Sequence, residues 1–227
     1  MNVRSFELLV FDWDGTLMDS QARIVNCLRG AIEDVGAAPR SDAALRDTIG
    51  LGLGEGVQLL YPGADDTFTR ALSAAYRRHF LEVDQTPSPL FAGARAVVAQ
   101  LKADGYWLAI ATGKSHAGLQ RNLRETGLDE YFHTSRCADQ APSKPHPQML
   151  EDLTGELGVA PQRTLMIGDT AYDMEMARNA STCALAVSYG AHALNRLLEH
   201  APLGHVNDIS EVPAWILGLD SKANPRC

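Results

Sequence analysis

The chain has 227 residues, 45% of them hydrophobic and 21% charged, with 20 basic and 28 acidic side chains and a formal net charge of −8. That size and balance allow one large apolar core and a smaller second one. The acidic excess argues against non-specific binding to nucleic acid or to an anionic membrane surface, and no stretch is apolar for long enough to span a bilayer or act as a secretory leader.

The first element is Leu8-Leu9-Val10-Phe11, a short apolar run of the kind a buried parallel strand requires. It runs into Asp12-Trp13-Asp14-Gly15-Thr16. Two close carboxylates repel, and hard oxygen ligands of this sort favour Mg²⁺. Gly15 permits a sharp turn, and Trp13 reads as packing. Helical spacing then links Ile24, Cys27, Leu28, Ala31 and Ile32, and Gly36-Ala37-Ala38-Pro39 ends the segment. Ser41 is placed to cap a short helix reaching Thr48. Residues 49–56 are glycine-rich, but no strand precedes them and no Lys-Ser/Thr follows. They read as a mobile loop, not a Walker-type phosphate loop. Residues 57–60 and 67–81 continue the helical pattern, and Thr86-Pro87-Ser88-Pro89 reads as a linker. Residues 18–88 are therefore expected to be a helical insertion.

From Gly93 the pattern alternates. Helices are predicted over 94–103, 116–126, 147–157 and 172–180, with Gly127 and Gly158 closing two of them. Strands are predicted over 107–111, 132–137, 164–167 and 183–187. This alternation implies an α/β fold, a doubly wound parallel sheet. Residues 221–227 read as a frayed tail. The four cysteines, Cys27, Cys137, Cys183 and Cys227, lack metal-ligand spacing and read as reduced thiols of a cytoplasmic protein. The histidines lack the paired spacing of a metal site.

Four polar clusters fall at or just after strand ends: Asp12/Asp14, Thr112-Gly113-Lys114, Ser143-Lys144-Pro145, and Gly168-Asp169 with Asp173. In a parallel sheet such ends share one edge and can converge. They combine acidic groups for a metal, a hydroxyl and amides for oxyanions, and a cation, which is the inventory of phosphoryl transfer. Within them, Lys114 reads as solvent-exposed, and His146 as shaping the Lys144 loop.

This ordered set resembles the haloacid dehalogenase superfamily of aspartate-nucleophile phosphohydrolases, over most of the chain from Phe6 to about Val187. The carrying residues are Asp12-Trp13-Asp14-Gly15-Thr16, Thr112, Lys144 and Gly168-Asp169 with Asp173. Within the superfamily the chain is most similar to the phosphoglycolate-phosphatase-like branch. The resemblance implies a core of residues 1–17 and 89–227 and a small helical cap of residues 18–88 inserted after the first strand. It implies a Mg²⁺-dependent phosphatase acting on a small phosphorylated metabolite. Asp12 is then the nucleophile and Asp14 the acid and base. Thr112, Gly113 and Lys144 hold the phosphoryl group. The metal ligands are the Asp12 side chain, the Asp14 carbonyl and Asp169, with Asp173, Gly15 and Thr16 in support.

Other activities weigh differently on the residues. Halide leaves without a proton, so Asp14 favours phosphate esters over dehalogenation. Cleavage of a phosphonate through a Schiff base needs a cap lysine, and the segment from Met18 to Leu90 has none. A sugar-phosphate mutase of the β-phosphoglucomutase kind carries a His-Lys pair where this chain has Asp19-Ser20-Gln21-Ala22, which leaves it a minor alternative. A pyrophosphatase or nucleotidase of the same superfamily stays open, while intact catalytic positions argue against a non-catalytic binding module. Monomer and homodimer are equally open. Specificity is expected from the cap, near residues 50–54 and in arginines such as Arg23.

Overall fold

Strand β1, Leu8–Phe11, lies at the centre of a six-stranded parallel sheet, in the computed structural model that describes residues 4–220. It pairs on one side with β2, Trp107–Thr112, and on the other with β4, Thr164–Gly168. Beyond β2 lies β3, Thr134–Cys137; beyond β4 lie β5, Cys183–Val187, and β6, Gly204–Val206. The register sets Val10 between Ala109 and Met166. Alternation along β1 then divides its side chains between two layers. Leu9 and Phe11 pack with Ile110 and Ile167, and Leu8 and Val10 pack with Leu150, Leu153 and Met166.

Helices between strands cover both faces. They are α5, Ala94–Ala103; α6, His116–Thr126; α7, Gln148–Leu157; and α8, Ala171–Asn179. Ser115 caps α6 by accepting from the Gly118 amide, and Gly127 and Gly158 close α6 and α7 in the left-handed conformation. These helices follow the expected bounds to within a residue.

The insertion is helical as expected: α1, Gln21–Asp34; α2, Asp42–Arg46; α3, Leu53–Leu60; and α4, Asp66–Arg78, which continues as a π-helical turn, His79–Val83. Ser41 caps α2. Ile24, Leu28, Ile32, Leu45, Val57 and Leu72 form a third apolar cluster of their own. Its two connections to the sheet run side by side. The Asp19 amide donates to the Pro89 carbonyl at 2.8 Å and the Phe91 amide to the Leu17 carbonyl at 3.0 Å.

Three expectations need correction. The glycine-rich stretch is not a free loop: α3 starts at Leu53, inside it, and the Gly52 amide donates 2.8 Å to Ser143 Oγ across from the sheet domain's loop. Strand β6 and helices α9, Leu194–Leu198, and α10, Val212–Asp220, were not foreseen; three residues are too few to display a period. Cys27 and Cys137 are buried free thiols, but Cys183 is disulfide-bonded. The expected frayed tail and Cys227 lie outside the described residues. No helix among the described residues is long and apolar enough to cross a membrane.

Candidate active site

The carboxyl ends of β1, β2 and β4 bring the expected clusters together. Asp12 is fully buried one residue past β1, its amide still bonded to the Ile167 carbonyl at 2.9 Å. Gly15 turns the chain with a φ of +93°, and a Cβ there would lie 2.2 Å from Asp169 Oδ2. Glycine therefore lets the turn rest against Asp169. Thr16 Oγ1 donates to Asp169 Oδ1 at 2.8 Å, and the Ala191 amide donates to Asp169 Oδ2 at 2.7 Å.

Lys144 reaches in from the loop before α7 and is as buried as the carboxylates it meets. Its Nζ lies 2.8 Å from Asp12 Oδ1 and donates to Asp173 Oδ1 at 2.6 Å. Asp173 is held from its other side, where Oδ2 accepts from the Thr170 amide at 3.0 Å and from Thr170 Oγ1 at 2.6 Å. The first of these, with the Asp173 amide donating to Thr170 Oγ1 at 3.3 Å, closes a capping box at the start of α8, which fixes Asp173 in one orientation.

Three buried carboxylates around one ammonium leave surplus negative charge. Burial raises the Asp12 carboxyl well above the usual range; Lys144 opposes this, while Asp173 and Asp169 add to it. Burial, then Asp173, push Asp169 up to about 7. Burial alone would lower the Lys144 ammonium, but Asp12 and Asp173 outweigh it and hold that group above its ordinary value. It stays charged at every working pH.

This surplus suits a divalent cation. Ligand oxygens of Asp12, Asp169 and Asp173 all lie within 4.8 Å of one another. Apart from the Lys144 ammonium 2.8 Å from Oδ1, the Asp12 oxygens have no partner among the described residues, which leaves Oδ2 a buried acceptor free for a cation. At the turn after β1, the amides of Thr16, Leu17 and Met18 all bond to the Trp13 carbonyl and none to that of Asp14. The available donors are hard oxygens, as Mg²⁺ prefers. Asp173 already engages Lys144 and Thr170, so it fits an outer position better than a direct one.

Asp14 faces the cavity above Asp12. Its Oδ1 accepts from Ser20 Oγ at 2.7 Å, and its Oδ2 lies 2.9 Å from Lys114 Nζ. Lys114 is thus not the exposed side chain expected: it pairs with Asp14 and its Nζ sits 4.9 Å above the Phe80 ring. Thr112 is buried at the end of β2, with Oγ1 accepting from the Lys114 amide at 3.2 Å. A Cβ on Gly113 would lie 2.3 Å from the Leu51 carbonyl oxygen, so this position lets the insertion approach the sheet edge.

The insertion and the sheet edge enclose a cavity of about 500 Å³ reaching from Asp12, Asp14, Thr112 and Gly113 up to Tyr76 and Phe80. Arg23 does not line it, against expectation. Its guanidinium stacks 4.6 Å over Phe80 and donates to the Phe80 carbonyl at 2.8 Å. Arg77 and Arg121 line the cavity instead. Among the expected site residues Asp12, Asp14, Thr112 and Gly113 line the cavity, while Gly15, Thr16, Lys144, Asp169 and Asp173 stand back from its wall. His146 is confined to its own loop, where Nδ1 accepts from the Gln148 amide at 3.2 Å. The residues missed by sequence reasoning are Lys114, Ser20, Tyr76 and Phe80. Only Lys114 carried a local signal, its place next to Thr112-Gly113.

The family description haloacid dehalogenase-like hydrolase matches residues 9–187, most of the chain. The chain belongs to that family. A relative from Dickeya dadantii (strain 3937), named "Probable phosphatase IndB", is 36% identical over 211 residues, covering 90% of this chain and 91% of its own. A phosphoglycolate phosphatase from Nitrosococcus oceani is 30% identical over 200 residues, covering 81% of this chain and 84% of its own. Among solved structures, a hydrolase from Pseudomonas syringae superposes with a TM-score of 0.86 at 21% identity, over 94% of this chain and 99% of its own. That likeness shows the fold alone. As a member of the family with such relatives, the protein is a phosphatase, and its parallel sheet flanked by helices is the family's Rossmann-like core.

Proposed function

We propose that the protein is a Mg²⁺-dependent phosphatase that hydrolyses the phosphate monoester of a small metabolite through an aspartyl phosphate. The observation that carries this reading is Asp12: buried at the tip of the central strand, held at 2.8 Å by Lys144, its oxygens otherwise unpartnered among the described residues. Asp12 attacks phosphorus and the bond to the leaving oxygen breaks. Asp14 gives that oxygen a proton, then takes one from the water that attacks the aspartyl phosphate, freeing inorganic phosphate and Asp12. Lys144, the Thr112 hydroxyl and the Gly113 amide hold the phosphoryl oxygens. Asp12, the Asp14 carbonyl and Asp169 would hold Mg²⁺, which neutralises phosphoryl charge when bound. Asp173 orients Lys144, and Gly15 and Thr16 keep Asp169 in place.

Residues 18–88 act as a cap over a core of residues 1–17 and 89–227, hinged at the paired segments around Met18 and Leu90 and excluding water on closure. Relatives named phosphoglycolate phosphatase support a substrate of that general kind, and the setting is the cytoplasm. The test is phosphate release from a panel of phosphorylated metabolites by chelator-treated protein, with and without added Mg²⁺. Release that depends on Mg²⁺ and is lost in Asp12→Asn supports the reading; equal release without metal, or by the variant, overturns it.

A further inference from the structure

The geometry points to a substrate whose leaving group carries a heteroaromatic ring, as in a nucleoside monophosphate, held against Tyr76 and Phe80 of the insertion. This inference deepens the phosphatase reading and rests on it.

The phosphoryl end of the cavity is defined by Asp12, Thr112 and Gly113, and what remains must receive the leaving group. A space of about 500 Å³ belongs to the range that takes whole drug-sized molecules. A phosphate joined to two carbons leaves most of it empty. Empty apolar volume forfeits dispersion contacts and gains nothing for affinity.

The walls describe the occupant. Ile24, Leu28, Tyr76 and Phe80 line the cavity from the insertion. Tyr76 and Phe80 form one aromatic surface, with ring centroids 5.8 Å apart and planes inclined by 34°. Phe80 is fixed before any ligand arrives. The Arg23 guanidinium stacks on it, donates to its carbonyl and stands 4.0 Å from Asp84. Rigid aromatic contact area costs little ordering entropy on binding. A flat ring fits such a wall better than a short acid or a hydroxyl-covered sugar, whose polar groups would lose water there without replacement.

Polar groups line the same cavity, among them Lys114, whose Nζ stands 4.9 Å from the Phe80 ring centre. The Tyr76 hydroxyl makes no hydrogen bond among the described residues; burial, then Asp14, hold it neutral, so it offers a hydrogen. Arg77 and Arg121 line the cavity and neither forms an ion pair among the described residues. The wall also carries acceptors, the carboxylates of Glu55 and Asp139 and Asn122 Oδ1, which has no hydrogen-bond partner among the described residues, so it suits a ring with both acceptors and N–H donors at its edge. That favours a nucleobase-like ring over a plain phenyl group.

The experiment compares kcat/KM with Mg²⁺ for a purine and a pyrimidine nucleoside 5′-monophosphate, 2-phenylethyl phosphate and 2-phosphoglycolate. The same measurements follow on Phe80→Leu, which keeps an apolar filling, and Tyr76→Phe, which removes only the hydroxyl. Expected is a preference for at least one nucleoside monophosphate over 2-phosphoglycolate of about tenfold or more. Phe80→Leu should cut the ratio of the two efficiencies by about tenfold, and Tyr76→Phe should cut the ratio of nucleoside monophosphate to 2-phenylethyl phosphate. A preference for 2-phosphoglycolate, or variants that leave these ratios unchanged, overturns the inference. Equilibrium binding to Asp12→Asn separates it from the phosphatase reading. If nothing is hydrolysed, tighter binding of a nucleoside monophosphate than of 2-phosphoglycolate keeps the ring site and rejects the phosphatase reading; equal or absent binding rejects the ring site too.

Discussion

The Tyr172 hydroxyl donates a 2.9 Å hydrogen bond to the Asp47 carbonyl. This contact ties the end of α2, in the insertion, to the first turn of α8, three residues beyond Asp169. The Asp47 carboxylate pairs with Arg196 and stands 3.4 Å from His192 Nε2. His192 in turn accepts from the Ala171 amide at 3.0 Å. The insertion is thus latched to the segments that carry Asp169. Tyr172→Phe removes one neutral hydrogen bond, an effect of about 1 kcal/mol. We expect kcat/KM to fall about fivefold through a less populated closed state, with the thermal midpoint within about 4 °C. Steady-state kinetics beside a melting curve decide; a drop in melting temperature with unchanged kinetics would show the bond to be structural only.

Asp12→Asn keeps the shape of the side chain but not its nucleophilic charge. Turnover should fall by at least about three orders of magnitude on every substrate. Mass spectrometry of acid-quenched protein should find phosphoryl-enzyme in the wild type and none in the variant. Substantial turnover in contamination-free variant protein would exclude the covalent route.

Lys144→Met leaves Asp12 and Asp173 buried without their cation. Removing one member of a buried ion pair costs about 3–5 kcal/mol. Urea unfolding should register a loss of that order, and turnover of all substrates should fall together, because the phosphoryl group is common to them. A loss confined to one substrate would contradict this role.

Without a bound cation, burial and then Asp173 push the Asp169 carboxyl up to about 7, above the value of about 4 of an unfolded aspartate. The folded state therefore binds that proton more tightly than the unfolded chain. Its stability contribution is intact below the unfolded value and is lost as pH rises from about 4 through 7. Bound Mg²⁺ needs the ionised carboxylate, so its stabilisation should grow over the same window. Melting of chelator-treated protein at pH 5.5 and at pH 8, each with and without Mg²⁺, tests this. The metal-induced rise should be larger at pH 8, and an equal rise at both would refute the assignment.

Gly113→Ala would set a methyl group 2.3 Å from the Leu51 carbonyl oxygen and 2.6 Å from that of Gly50. Both are backbone atoms, so the loop of the insertion must move away. A displacement near 1 Å at such a site costs about 10²-fold in rate. We expect kcat/KM to fall by that order while urea unfolding changes by less than about 1 kcal/mol. Unchanged kinetics would mean that the two segments do not need to touch during turnover.

The sequence alone determined the central strand, the order of strands and helices through β5, and the residues that converge on the sheet edge. Each rests on chemistry that is local in the chain. Leu8–Phe11 is apolar without interruption, Gly15 can take a positive φ, Ser41 caps the helix it precedes, and the acidic residues follow strand ends, which a parallel sheet must align. Tertiary structure alone decided which long side chains face the site. Lys114 and Lys144 are both lysines in loops, yet one meets Asp14 and the other lies between Asp12 and Asp173. Arg23 turned to Phe80, and Asp47 found Tyr172 across 125 positions of sequence. A hydrophobic period reports that a face is buried, not what it is buried against. A flexible cationic side chain has several partners within reach, and only packing selects one.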